Sequence, residues 1–262
     1  MPLGISTLYL VIQKKPFESV VELLSGPAAD RVSYFEIVDN GSTRLTDTTT
    51  ERLAGLAQTG HRFTLHSPYE GINIASSDPR KRRRSVDAVK ESLERGATFD
   101  ALNVVVHPGT TDAGAPPEEA FRTNCDSLME IWDHSCSIGQ RMAVENDIAH
   151  EKGILVRPSD FRSFFASVGT RLPLLLDVGH ANISGTLKEF VGKMASDFSE
   201  LHVHDNEGDW DQHLALGEGN TDLSLIRPLF ANTSLLFTVE SVQDPFGSFE
   251  RLSELRREAL LI

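Results

Sequence analysis

The sequence contains little cysteine. Its 262 residues include 2 cysteines, Cys125 and Cys136, whose spacing matches neither a CxxC pair nor other zinc-binding patterns. A disulfide framework or a cysteine-based zinc site is therefore not expected, and a reduced, intracellular protein is. Both thiols are interpreted as structural, because free cysteines are usually buried.

Long hydrophobic runs are also missing. The opening residues, MPLGISTLYLVIQKK, hold one short apolar run that is followed rather than preceded by lysines, unlike a signal peptide. No stretch approaches the roughly 20 apolar residues of a membrane span. The expectation is a cytoplasmic protein without a membrane partner.

The sequence has fewer basic than acidic residues. The 25 Lys and Arg residues against 38 Asp and Glu residues give a formal charge of −13, which repels polyanions at long range and does not favour a nucleic-acid partner. Bound cations or a local basic strip can reverse the field at one face. One such strip is the run from Arg80 to Arg84, interpreted first as a solvated helix face and alternatively as a phosphate contact.

Linkers rich in proline, serine or simple repeats are absent, so residues 1–262 are predicted to form one domain. Short aliphatic runs alternate eight times with segments of helical period, which predicts an α/β fold, a single (β/α)8 TIM barrel. The predicted strands are Gly4–Leu8, Tyr34–Val38, Arg62–His66, Asn103–His107, Arg141–Glu145, Pro173–Asp177, Leu201–His204 and Leu235–Glu240. The predicted helices are Phe17–Leu24, Thr50–Gln58, Pro79–Arg95, Pro117–Ile138, Pro158–Val168, Leu187–Lys193, Leu223–Phe230 and Phe246–Leu261.

Local signals mark several helix ends. Asp78 is expected to cap a helix, and Pro79 fixes the φ angle of its first residue. Pro158 marks another helix start in the same way. Gly96 and Gly139 are predicted to end two helices in the left-handed conformation.

Acidic residues and histidines end all the predicted strands except the first. In a closed parallel barrel the carboxyl ends of the strands meet at one mouth, so these side chains are expected to converge in one cavity, with the active site there. The residues in question are Glu36, His66, His107, Glu145, Asp177, His202 and Glu240. Residues two positions earlier, such as Val105 and Ala143, are small or apolar, as the barrel interior requires.

The stretch Glu200–Gly219 is the densest in metal-ligand residue types. Its strand places His202 and His204 on one face, and a polar loop then leads to the pair Asp211 and His213. Imidazole and carboxylate groups so close together favour zinc or manganese. His180 adds a further ligand three residues after the sixth predicted strand.

Several segments together resemble one known superfamily over nearly the whole chain. They are HSPYEGINIAS, VVVHPGT, AVENDI, LLLDVGHAN, HVHDNEGDWDQHLALGEG and FTVES. This set is similar to the endonuclease IV and xylose-isomerase-like barrels, and the LGEG that follows the Asp-x-His pair is its most specific part. Two departures from the DNA enzymes are a histidine at position 204, where they usually have asparagine, and a shorter loop from His202 to Asp211.

For endonuclease IV the resemblance implies up to three zinc ions. The matching positions are His66, His107 and Glu145 for the first ion; Glu145, Asp177, His202 and Glu240 for the second; and His180, Asp211 and His213 for the third. Glu145 would bridge two ions, and the substrate would be DNA at an abasic site.

The same superfamily implies an alternative, a mononuclear sugar or sugar-phosphate isomerase or epimerase. One Mn²⁺, Mg²⁺ or Co²⁺ would sit on Glu145, Asp177, His202 and Glu240. Glu145 and Glu240 would then be the catalytic pair that moves a proton at the carbon beside the carbonyl, and His180 would bind a substrate hydroxyl.

The candidate substrate contacts are Glu36, Arg44, Tyr69, His204 and Trp210, and Glu36 is alternatively a carboxylate that supports a metal ligand. Tyr69 matches an aromatic residue that the DNA enzymes use near the opened base stack. The number of ligand-type residues favours phosphoester hydrolysis, whereas the acidic charge and the shorter loop favour a small sugar. The hypothesis carried forward is hydrolysis, because four further ligand-type residues at the expected positions need a reason.

Overall fold

A computed structural model describes residues 2–27 and 29–261. Its strands pair in parallel and in chain order, and β1 pairs with β8 to close an eight-stranded barrel. The strands are β1 (Leu3–Ser6), β2 (Tyr34–Val38), β3 (Phe63–His66), β4 (Val104–Val106), β5 (Met142–Glu145), β6 (Leu174–Asp177), β7 (Phe198–Val203) and β8 (Leu236–Val239). The predicted (β/α)8 TIM barrel is confirmed.

Helices surround the barrel. They are α1 (Leu8–Ile12), α2 (Phe17–Leu24), α3 (Asp47–Gln58), α4 (Pro79–Thr98), α5 (Pro117–Ile138), α6 (Pro158–Val168), α7 (Val178–Ile183), α8 (Leu187–Met194) and α9 (Pro245–Leu260). Short 3₁₀ segments span Ala29–Arg31, Gly41–Thr43, Ala149–Glu151 and Leu223–Ala231. The last of these replaces a predicted α-helix, because Pro228 lies inside it and cannot donate the helical hydrogen bond.

Three predicted helices, α2, α5 and α6, have the predicted bounds. Gly139 ends α5 with a φ of 71°, as expected for a left-handed cap. The prediction for Gly96 was wrong, because α4 continues through it to Thr98. A Cβ atom at Gly96 would lie 3.0 Å from Val104, so this glycine lets α4 pack closely on the sheet.

The main hydrophobic core lies between the barrel and its helices, and Val105, Ala143 and Leu175 form a separate buried cluster. Their strand positions, two residues before the mouth, agree with the predicted interior layer. The register contradicts one part of the prediction. Glu36 pairs with Thr64, while Val38 pairs with His66, so Glu36 lies two residues deeper than the rim because β2 continues beyond it.

The helices offer no membrane-spanning segment. Across the described ranges 2–27 and 29–261, none combines the length and the apolar character that a span would require.

Candidate metal centre

The carboxyl ends of the strands carry most of the predicted ligands. His66, Glu145 and Asp177 are the last residues of β3, β5 and β6. Other members follow their strands by one residue or lie in the connections, namely His107, His180, Asp211, His213 and Glu240, and His202 is the penultimate residue of β7. The closed barrel therefore brings all nine predicted ligands to one mouth.

The central group surrounds His202. Its Nδ1 atom lies 3.2 Å from Glu240 Oε2 and 3.6 Å from Glu145 Oε1. Asp177 Oδ2 is 4.0 Å from the same nitrogen. All four side chains are buried. Donor atoms that share one tetrahedral ion lie roughly 3.3 Å apart, so this group has the spacing and the donor chemistry of a cation site.

A second group of candidate ligands surrounds the other carboxylate oxygen of Glu145. Glu145 Oε2 is 3.0 Å from His107 Nε2 and 3.7 Å from His66 Nε2. The two imidazole nitrogens are themselves 3.1 Å apart. The carboxylate of Glu145 is thus divided between two donor groups, one oxygen toward each, as a bridging ligand would be.

The third group is centred on Asp211. Its Oδ2 atom lies 2.9 Å from His213 Nε2 and 3.4 Å from His180 Nε2. Its Oδ1 atom lies 3.5 Å from His204 Nε2. The sequence interpretation had treated His204 as a substrate contact, whereas the structure buries it completely among the candidate ligands.

Four histidines of the centre are each held through one ring nitrogen. The Nδ1 atoms of His66, His180 and His213 lie 2.8, 2.9 and 3.0 Å from the backbone carbonyl oxygens of Ser67, Asn146 and Glu240. His202 is held through Nε2, which lies 2.9 Å from Glu36 Oε2. Metal-binding histidines commonly donate their other N–H in this way. The other nitrogen of each ring faces the centre, that of His66 toward His107 and that of His213 toward Asp211.

Two buried atoms of the central group lack hydrogen-bond partners. Within the described part of the chain, nothing forms a hydrogen bond of acceptable geometry with Asp177 Oδ2 or His202 Nδ1. The other oxygen of Asp177 accepts from the backbone N–H of His180 at 2.6 Å, so the side chain is fixed with one oxygen unused. Leaving a buried carboxylate oxygen unpaired is unfavourable, and the residues present fit a divalent cation at this point.

The charges of the site are strongly interdependent. Burial lowers the pKa of His66, but the contact with the Glu145 carboxylate and the charges of Glu36 and Glu145 outweigh it and raise that pKa to about 9. Burial raises the pKa of Glu240, but the positive charge of His202 outweighs it and holds the pKa well below its usual range. Without a metal ion, the imidazolium groups provide the positive charge that these carboxylates require.

A cavity of about 380 Å³ opens at this mouth. Its wall combines seven of the nine predicted ligands, all except Asp177 and His202, with Tyr69 and with apolar residues that include Leu8, Ile72 and Ile148. The ring of Tyr69 meets that of His66 edge-on at 5.4 Å. The cavity has the size of a small-molecule site. A larger cavity of about 690 Å³, lined by Arg62, Arg141 and Trp132 among others, includes none of the predicted ligands.

Other predicted contacts lie outside this cavity. Glu36 is behind His202, and Arg44 Nε lies 3.4 Å from Asp39 Oδ1. Trp210 is 57% exposed. In the basic run, Arg83 pairs with Glu130 of α5 at 2.8 Å, which orients this part of the run toward a neighbouring helix.

The sequence interpretation missed Glu200. This carboxyl is buried in β7, accepts from Asn103 Nδ2 at 2.8 Å and from Thr238 Oγ1 at 2.6 Å, and lies below His202. Burial raises its pKa to about 7, and the charge of Glu36 adds to the effect. Its position two residues before His202 was the available signal, because strand alternation places both on the same side.

The closed parallel barrel with its ligand-rich mouth defines a TIM-barrel protein with a candidate metal centre. The family described as xylose isomerase-like TIM barrel matches residues 29–258, and the chain belongs to that family.

Two relatives by sequence and one solved structure illustrate what this chain is similar to. Protein MJ1614 of Methanocaldococcus jannaschii is 25% identical over 261 residues, which cover 98% of this chain and 100% of the relative. A probable endonuclease 4 of Thermoplasma acidophilum is 25% identical over 206 residues, covering 73% of this chain and 70% of the relative. Among solved structures, a D-tagatose 3-epimerase-like protein superposes with a TM-score of 0.87 at 25% identity, covering 100% of this chain and 99% of that one.

Proposed function

We propose that this protein is a multi-metal phosphoester hydrolase, with abasic-site DNA as the substrate to test first. The observation that carries the proposal is the divided carboxylate of Glu145. Oε2 faces His66 and His107, whereas Oε1 faces His202 at 3.6 Å. Sites that hold neighbouring ions through a shared carboxylate are typical of phosphoester hydrolysis. The similarity to a protein named probable endonuclease 4 supports the same reaction class.

Some residues of the site would bind the ions, and others orient those ligands or line the cavity. Divalent ions bound at this mouth, zinc in the first instance, would lower the pKa of a water molecule and neutralise the charge that develops on phosphate oxygens. Glu36 holds the ring of His202 through Nε2 and leaves Nδ1 facing the centre. Tyr69 forms one wall of the cavity, and burial raises the pKa of its phenol to about 12, which keeps it neutral. A neutral ring is suited to pack against a sugar or a base.

The test is a nicking assay on duplex DNA that contains one abasic analogue. Zinc-loaded protein is expected to incise the strand at the analogue, and chelator-treated protein to lose that activity until zinc is restored. The control is an intact duplex of the same sequence. Zinc-loaded protein that leaves the abasic duplex intact would rule out this substrate, and a series of phosphomonoesters and diesters would then test the wider reaction class.

A second candidate function is favoured by the central group alone. Glu145 and Glu240 both face His202, at 3.6 and 3.2 Å, so one ion there would leave two carboxylates beside a bound ketose. The cavity of about 380 Å³ suits a monosaccharide, and one similar structure is named a D-tagatose 3-epimerase-like protein. In that reaction Glu145 and Glu240 would remove and return a proton at the carbon next to the carbonyl.

The two candidates differ in a simple isotope experiment. An epimerase incorporates solvent deuterium at one carbon of a ketose such as D-tagatose or D-fructose, which mass spectrometry detects. A hydrolase of this site leaves the ketose unlabelled. Deuterium incorporation together with a single bound Mn²⁺ or Co²⁺ would replace the hydrolase proposal with the epimerase.

A further inference from the structure

His204 occupies a position that the proposed three-ion set does not use. It is the first residue after β7 and is fully buried. Its ring stacks on that of His213 with centroids 4.0 Å apart. A Cβ atom at position 179 would overlap the His204 ring, so Gly179 is required for the ring to lie here. The absence of a side chain at Gly179 therefore provides the space for this imidazole beside the third group.

The ring is oriented like those of the neighbouring candidate ligands. Its Nδ1 atom faces the backbone oxygen of Asp205 at 3.5 Å, and its Nε2 atom faces the centre. Nε2 lies 3.2 Å from Asp177 Oδ1 and 3.5 Å from Asp211 Oδ1. His180 and His213 have the same arrangement, with Nδ1 on a backbone carbonyl and Nε2 toward Asp211.

An unused acceptor faces this ring. In the part of the chain that the structure describes, no hydrogen bond reaches Asp211 Oδ1, which is buried. The ligand atoms of His204, Asp211 and His213 all lie within 4.8 Å of one another. His180 Nε2 lies 3.4 Å from the other oxygen of Asp211. Three imidazoles and one carboxylate therefore lie around Asp211, which is the number of donors that a tetrahedral ion takes.

We infer that His204 is a fourth protein ligand of the third ion, which closes that site. Sites with four protein ligands hold structural zinc, whereas catalytic zinc keeps a position open for water or substrate. The third ion would then fix the loop from Asp205 to His213 against β6, and substrate would bind only at the first two ions. This inference rests on the proposed multi-metal function, since it assigns a role within that site.

A simpler role for His204 makes a different prediction. If the ring only donated a hydrogen bond to Asp177 Oδ1, its replacement would disturb Asp177, which belongs to the central group. The second ion would then be weakened and the third would not change. The two roles are therefore separated by which ion responds.

The experiment uses the full chain loaded with Co²⁺, whose visible absorption reports coordination. Wild type, His204→Asn and the exposed-residue control His150→Asn are stripped with chelator and reloaded. Each is then titrated with a competing chelator, and separately with thiocyanate. Asp211→Ala, which lacks the carboxylate of the third group, identifies the spectrum and affinity of the third ion by difference.

The expected result is that wild type and His150→Asn bind three Co²⁺ per chain. In His204→Asn the third ion should bind about tenfold more weakly or worse, and thiocyanate should perturb its absorption, since a position has opened. The third ion of wild type should not respond to thiocyanate. His204→Gln, which keeps the bulk of the side chain, is the second variant in case asparagine disturbs folding, and circular dichroism checks both.

Three outcomes overturn the inference: a third ion that is equally tight in His204→Asn and wild type, a weakening confined to the second ion, or wild type that binds fewer than three ions. The proposed function is tested separately by strand incision. Three ions with the expected His204→Asn response but no phosphoester hydrolysis would leave the inference standing and remove the hydrolase. Incision with an unresponsive His204→Asn would do the reverse.

Discussion

At the scale of single residues, four histidines of the centre each have one nitrogen anchored and the other facing the candidate ligands. The anchor for His202 is Glu36, which lies 2.9 Å from Nε2, while backbone carbonyls anchor His66, His180 and His213. The sequence predicted which residue types gather, because they end strands. It did not predict which nitrogen faces the centre, since that depends on carbonyls and side chains from other parts of the chain.

The first prediction concerns Glu36. Glu36→Gln keeps the size of the side chain but removes the charge that orients and polarises His202. We expect metal affinity to fall about 10- to 100-fold, measured by competition with a chromophoric chelator. Glu22→Gln, at an exposed position of α2, is the matched control and should bind metal like wild type. An unchanged affinity in Glu36→Gln would contradict a positioning role.

The second prediction concerns Asp211. Its carboxylate lies 2.9 to 3.5 Å from the ring nitrogens of His180, His204 and His213. Asp211→Ala should therefore reduce the bound zinc by one ion per chain, read by elemental analysis of dialysed protein. A mononuclear centre on Glu145, Asp177, His202 and Glu240 predicts instead that the stoichiometry does not change.

The third prediction concerns the two thiols. Cys125 is buried, and burial raises the pKa of its thiol to about 11, so little thiolate is present at pH 8. Cys136 is exposed. Iodoacetamide at pH 8 should label the native chain once, at Cys136, and the unfolded chain at both positions, as peptide mass spectrometry will show. Rapid labelling of Cys125 in the native protein would contradict its burial.

At the scale of secondary structure, helices with strong end signals were predictable. The bounds of α5 and α6 agree with the sequence because each has Pro at its start and a left-handed Gly at its end. Helices α1 and α7 were missed. They span 5 and 6 residues, too few for a helical period to be recognised, and α7 begins inside the Asp177–His180 motif, with Asp177 as its cap.

The fourth prediction compares two glycines. Gly139 has a φ of 71°, which L-residues rarely adopt, so Gly139→Ala should lower the free energy of unfolding by about 1 kcal/mol. Gly192 lies inside α8 with open space around its Cβ direction, so Gly192→Ala should raise that free energy by up to about 1 kcal/mol. Urea unfolding followed by circular dichroism measures both. Equal effects of the same sign would contradict the described backbone.

At the scale of the whole molecule, barrel closure was the step that made the site predictable. Residues from His66 to Glu240 meet because the strands are parallel and close in chain order. Depth within the barrel was not predictable, since alternation gives the side of the sheet on which a residue lies but not its layer. For that reason Glu36 was assigned to the rim, and Glu200 was overlooked although both are completely buried.

The charge balance of the metal-free barrel leads to the fifth prediction. Burial lowers the pKa values of His66 and His204, but neighbouring carboxylates outweigh it and raise each to about 9. A raised histidine pKa contributes stability that is complete below the unfolded value of about 6.5 and is lost as the pH rises through the folded value. The metal-free protein should therefore lose thermal stability between pH 6.5 and 9.

Zinc bound at these histidines should oppose this dependence, because binding requires neutral imidazoles and displaces their protons. The melting temperature of the zinc-loaded protein should exceed that of the metal-free protein by a margin that grows from pH 6.5 to 9. Differential scanning fluorimetry across that range measures both forms. A margin that shrinks with pH would contradict the assignment of these histidines as ligands.

The most direct measurement of the central claim is the number of zinc ions that the purified chain retains after exhaustive dialysis, determined by elemental analysis against protein concentration. Because the oxygens of Glu145 face two donor groups and Asp211 lies within a third, we expect close to three zinc ions per chain. One ion per chain would contradict the bridging role of Glu145, and none would contradict the metal centre itself.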